Sequence, residues 1–219
     1  MPCWLILGCG SGIATLPPLN VPQTNDVIFI GDSITYIWGA EDPGFQSHAN
    51  WIDKGISGQS SLQVALRFGA DVIALHPKTV HILVGTNDVY PGWKSCIAPS
   101  YGLIVPYDTC SNILYMVQTA QHYGIKVVLG TIPPWGCSNI PYYCGESVAD
   151  ETPSRYNRIV ELNNFIKAFG LQYGITVIDY HTILQDATGL HYAQDLTADG
   201  VHPSPQGLAL MTPAVAAAE

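Results

Sequence analysis

From residue 27 onward, short β-branched apolar runs alternate with longer stretches of helical periodicity. Residues 27–30 (VIFI) are wholly apolar and stop at Gly31, the pattern of a buried strand. Residues 51–56, 79–84 (TVHILV), 125–129 (IKVVL) and 175–178 (ITVI) repeat that pattern, so five strands are expected. Helical stretches fall between them. Residues 60–71 carry Leu62, Ala65, Leu66 and Phe68 as a stripe, 107–123 carry Ile113, Leu114, Val117 and Ala120, and 152–170 carry Ile159, Leu162, Ile166 and Phe169. An Ala-rich helix over 205–217 contains Pro213, which predicts a bend or an early end.

Strands separated by helices imply right-handed crossovers and a parallel sheet. Near-continuous apolar strands fit burial on both faces. The expected fold class is α/β, a three-layer α/β/α sandwich around a five-stranded parallel sheet. Residues 10–25 have the Gly, Pro and Asn content of a tether. The expected organisation is therefore a leader or tether over 1–25 and one domain over 26–219.

Composition narrows the class. Of 219 residues, 47% are hydrophobic and only 11% charged, which excludes a disordered chain. A net charge of -9 argues against a phosphate-neutralising surface and hence against nucleic acid as a partner. No apolar run approaches the ~18 residues of a membrane span. Residues 4–9 (WLILGC) resemble the end of a bacterial lipoprotein signal with Cys9 as the lipidated position, although no basic segment precedes them. Six cysteines stand at 3, 9, 96, 110, 137 and 144, without zinc-ligand spacing. The last four read as two couples, Cys96/Cys110 and Cys137/Cys144, in loops rich in Gly, Pro and Ser; four cysteines allow three pairings. Disulfides there predict an extracytoplasmic setting, whether secreted, periplasmic or lipid-anchored.

In an open parallel sheet, ligands bind beyond the carboxyl ends of the strands. Small polar residues recur at those ends: 31–35 (GDSIT), 55–60 (GISGQS), 85–88 (GTND) and, near the last helix, 199–203 (DGVHP). Ser33 stands where a strand passes into a helix, where free amides and the helix dipole favour negative charge. A serine needs a base to take its proton. His202 has Asp199 three residues earlier, close enough to hold the Nδ1 proton and leave Nε2 free. The Gly58 amide and the Asn87 carboxamide can donate to an oxyanion.

In these four blocks the sequence resembles the GDSL or SGNH hydrolases. The resemblance implies a flavodoxin-like sandwich and metal-free, cofactor-free hydrolysis of carboxylic esters. It makes Ser33 the nucleophile, Asp199 and His202 the rest of a catalytic triad, and Ser33, Gly58 and Asn87 the oxyanion hole. Asp53 and Lys54 precede Gly55, where the family often has Asn.

Two rival sites are weaker. Asp179 and His181 lie two apart at the end of the fifth strand but have no oxyanion donor beside them. Asp195, Thr197, Asp199 and Gly200 imitate the start of a calcium loop but lack its closing Glu, with Gln206 in that place. The aromatics of residues 88–106 and 132–150 (Tyr90, Trp93, Tyr101, Trp135, Tyr142, Tyr143), with Trp38 past the nucleophile, are candidates to line a pocket. Tyr90, Trp135 and Trp38 are the expected substrate contacts. No long apolar lid is visible, which favours small acyl groups. The alternatives are a carbohydrate esterase removing O-acetyl groups, and a non-catalytic binding protein on the same fold.

Overall fold

The structure is a computed structural model, and it describes residues 19, 21–89, 108–136 and 152–218. Residues 1–18 and 20 of the tether, with Cys3 and Cys9 among them, and Tyr90, Trp93, Cys96, Tyr101, Cys137, Tyr142, Tyr143 and Cys144 lie outside the described residues.

Five parallel strands form one sheet in the order β2-β1-β3-β4-β5. They are β1 (Val27–Gly31), β2 (Trp51–Gly55), β3 (Thr79–Leu83), β4 (Lys126–Gly130) and β5 (Thr176–Ile178). Hydrophobic continuity follows position in the sheet. Every residue of β1 and β3 is buried, whereas the edge strands β2 and β5 are only partly covered.

The two-residue alternation of a strand splits the core into two layers. Ile28, Ile30, Val80, Ile82, Val127 and Leu129 meet α3 (Ser61–Asp71), α4 (Thr109–His122) and α5 (Thr152–Tyr173). On the other face, Val27, Phe29, Leu83 and Val128 meet α1 (Ser33–Glu41), α2 (Pro43–Gln46), α6 (Tyr180–Leu184) and α7 (Pro205–Ala216). The buried hydrophobic positions of α5 are the expected Ile159, Leu162, Ile166 and Phe169. On α3 the buried face is Ser61, Val64, Ala65 and Phe68, and Leu66 is exposed instead. Leu66 follows Ala65 by 100° around the helix, enough to leave a stripe set by Ser61 and Phe68.

Pro213 does not end α7 early. It falls in the last turn, where its missing N–H forfeits a single bond, and Ala217 still donates to its carbonyl. Cys110, in the first turn of α4, is buried and disulfide-bonded. Among the described residues no helix is long and apolar enough to cross a membrane.

Candidate active site

The strand order reverses between β1 and β3, so the chain leaves these neighbours toward opposite faces and opens a crevice at their carboxyl ends. Glycines let the layers close there. A Cβ on Gly31 would meet the Leu83 carbonyl at 2.2 Å, and one on Gly55 would meet the Tyr36 amide at 2.1 Å. Asp32 caps α1 by accepting from the Ile34 amide at 3.0 Å, which leaves Ser33 as the first helical residue.

His202 lies between Ser33 and Asp199. Its Nδ1–H donates to Asp199 Oδ2 at 2.6 Å, so Nε2 is free to accept from Ser33 Oγ at 2.9 Å. Asp199 Oδ1 also accepts from the Val201 and His202 amides, both at 2.8 Å. Burial pushes the Asp199 carboxyl up, but these bonds outweigh it and hold the group below the ordinary carboxylate value.

The segment carrying His202 has no regular element and is braced residue by residue. Thr197 Oγ donates to the His202 carbonyl and accepts from the Gly200 amide. Tyr192 Oη donates to the Val201 carbonyl, and the Gly136 amide donates to the Gly200 carbonyl. Residues 195–200, which imitate the start of a calcium loop, thus form the turn that carries Asp199 to its histidine.

Gly58 follows β2 at φ +76, a conformation that favours glycine, and a Cβ there would meet nothing within 4 Å. Backbone conformation, not space, is the constraint. Asn87 follows β3, and its Nδ2 donates one hydrogen to the Gln59 carbonyl at 3.0 Å, leaving the other available. The next residue, Asp88, is buried and accepts from the Ser61 amide, the Ser61 hydroxyl and the Thr109 hydroxyl. Burial raises its pKa while the Ser61 and Thr109 bonds oppose the rise. Asp32 is driven up to about 7. Burial is the main cause and the Asp88 charge adds to it, against the Ile34 amide and His202.

Sequence reasoning passed over Asp32, Asp88 and Ser61. The signal for Asp88 was its place within GTND.

One expected substrate contact fails. Trp38 is not a substrate contact: its indole is fully buried against Phe29, Phe45 and Tyr180, and its Nε1 donates to Thr212. It stands five residues into α1, on the face turned to the sheet. Asp179 caps α6 and pairs with Lys167 at 2.7 Å, while His181 Nε2 bonds the Gly189 carbonyl at 3.1 Å. These two groups serve the local fold. Trp135 is half-buried beneath the Arg155 guanidinium, 4.0 Å from ring centre to Cζ, and its carbonyl accepts from His191 Nδ1.

Residues 29–210 match the GDSL-like lipase/acylhydrolase family. The chain belongs to this family. Among solved structures, a GDSL-like lipase from Bacteroides thetaiotaomicron has a TM-score of 0.73 and 30% identity, over 90% of this chain and 91% of that one. An acetyl xylan esterase from Geobacillus stearothermophilus shares the fold with a TM-score of 0.61 at 21% identity, over 90% of this chain and 95% of its own. The uncharacterized lipoprotein YqeF of Bacillus subtilis is 28% identical over 123 residues, 50% of this chain and 49% of that protein. The chain thus spans about half the length of this curated relative.

Proposed function

We propose that the protein is a serine esterase that hydrolyses carboxylic esters of small acyl groups through an acyl-enzyme. The observation that carries this reading is the position of His202, 2.9 Å from Ser33 Oγ and 2.6 Å from Asp199. His202 Nε2 takes the Ser33 proton as Oγ bonds to the ester carbonyl carbon. The oxyanion accepts from the Ser33 and Gly58 amides and from Asn87 Nδ2. His202 then gives the proton to the departing alcohol as the carbon–oxygen bond breaks. A water, deprotonated by His202, releases the acid and restores Ser33. Asp199 keeps the imidazole in the required tautomer and stabilises its cation.

Residues 88–106 and 132–150 carry no long apolar run, which supports small acyl groups over long chains. We assign Trp135 to the rim of the acyl or alcohol pocket, because Gly136 ties its loop to the His202 segment. An extracytoplasmic location is supported by the disulfide at Cys110 and by the lipoprotein relative. Cys9 is the proposed lipid anchor. Palmitate labelling that survives Cys9→Ala would remove that assignment.

Ser33→Ala is expected to lower p-nitrophenyl acetate turnover by at least about 10⁴-fold and to abolish labelling by a fluorophosphonate. Wild-type turnover in that variant would overturn the reading. A wild-type protein that neither labels nor turns over aryl esters and acetylated sugars would instead be a binding protein.

A further inference from the structure

Arg67 engages three acceptors. Nη1 pairs with Asp71 at 2.7 Å, one turn along α3. Nη2 donates to the Gly31 carbonyl at 2.8 Å, and Nε donates to Gln59 Oε1 at 2.6 Å. The Asp71 pair alone is an ordinary i,i+4 helix contact. The other two bonds leave the helix for the site. Gly31 ends β1 two residues before Ser33, and Gln59 follows Gly58. The Gln59 carbonyl in turn accepts from Asn87 Nδ2 at 3.0 Å. One side chain therefore joins the segments after β1 and β2 directly, and the segment after β3 through Gln59.

The segment after β2 needs such a tie. No neighbour lies within 4 Å of where a Gly58 side chain would stand, and the bond from the Gln59 amide to the Ile56 carbonyl is long, at 3.3 Å. Gln63 holds the Ser60 amide on one flank, and the Gly31 carbonyl holds the Ile56 amide on the other. Between them, Arg67 grips Gln59. Its side chain is only 14% exposed, and the planar fork serves two acceptors that a lysine ammonium cannot hold in one geometry.

We propose that Arg67 is a positioning residue for the oxyanion hole, holding the Gly58–Gln59 peptide and, through the Gln59 carbonyl, the Asn87 carboxamide in register with Ser33. The proposal rests on the esterase reading of the site. Steady-state kinetics on p-nitrophenyl acetate test it with R67M, R67K, N87A and the R67M/N87A double variant of the full chain. R67M lowers kcat about tenfold to a hundredfold with KM within about threefold, the signature of misplaced rather than lost substrate contacts. R67K stays closer to R67M than to wild type, because it keeps the charge and loses the fork. The double variant loses far less than the product of the two single losses, since both act on one hole.

Multiplicative losses, a loss confined to KM, or full rescue by R67K overturn the proposal. So does wild-type kcat in R67M while N87A falls about 10²–10³-fold, a result that leaves the esterase reading standing. An unimpaired N87A overturns the oxyanion assignment itself. If R67M does not fold, Q59A carries the test, because it severs the same bond and keeps the guanidinium on α3. Q59A is expected to match the kcat loss given for R67M, and wild-type kcat in Q59A overturns the proposal.

Discussion

The two halves of the site are built by different means. Ser33, Gly58 and Asn87 stand at the ends of three adjacent strands, above a two-sided core, with Asp32 and Asp88 buried beneath them. Asp199 and His202 stand on an irregular segment, with side chains 44% and 28% exposed, held mostly by hydrogen bonds among near neighbours in sequence, with the Gly136 amide on the Gly200 carbonyl as the long-range exception. The first half takes its geometry from the whole sheet and is stiff because the sheet is stiff. The second takes it from a few local bonds, so single substitutions there should change the histidine's orientation without unfolding the domain.

The largest expected break in that contrast is Asp199→Asn. Removing the carboxylate should leave the fold intact and lower kcat by about 10³–10⁴-fold, because the imidazole loses the tautomer that frees Nε2. Steady-state turnover alongside thermal unfolding checks both parts, and a melting point that falls with activity would contradict a locally built segment.

Asp32→Asn probes the other half through stability. The Asp32 carboxyl keeps its proton up to about pH 7 in the fold, while the unfolded chain releases it near pH 4. A raised folded pKa gives stability that is complete below the unfolded value and is lost as pH rises through the folded one. Wild-type stability should therefore decline between about pH 4 and pH 7, with Asp32 contributing up to about 4 kcal/mol of that decline. Asp53, raised to about 6 chiefly by burial, adds a smaller decline of the same sign over a narrower pH window. Denaturant titrations across that window should show a flatter profile for Asp32→Asn, and parallel profiles would rule the buried acid out.

The smallest effect belongs to Tyr192→Phe, which removes the hydroxyl bonded to the Val201 carbonyl. About 1 kcal/mol of stability and a few-fold in kcat are expected from the loss of that neutral hydrogen bond. A drop of several kcal/mol would mean that the segment is coupled to the core and not self-braced.

Much of this was legible in the order of residues, for reasons that differ by element. Strands β1, β3 and β4 declared themselves because burial on both faces makes their runs nearly continuous in apolar residues, interrupted only by Thr79 and His81 in β3 and by Lys126 at the start of β4. The site residues announced their location because Gly, Ser, Asn and Asp gather where strands stop. Trp38 misled, since proximity along the chain to Ser33 says nothing about which face of α1 it occupies, and that face is packed against Phe29. The buried His81 was invisible as a polar feature within TVHILV; its Nε2 meets Tyr180 Oη at 2.9 Å, and burial lowers its pKa to about 3. Arg67 was illegible for the opposite reason. Its role lies in two acceptors, Gly31 and Gln59, that only the assembled sheet edge brings within reach.

The bond between Ser33 and His202 joins residues 169 positions apart. A nascent chain that has reached Lys167 already contains the proposed nucleophile and every proposed oxyanion donor, yet has no base. During synthesis the proposed site would stay chemically silent until residue 202 has emerged, because a nucleophile and oxyanion donors without their base cannot start acyl transfer.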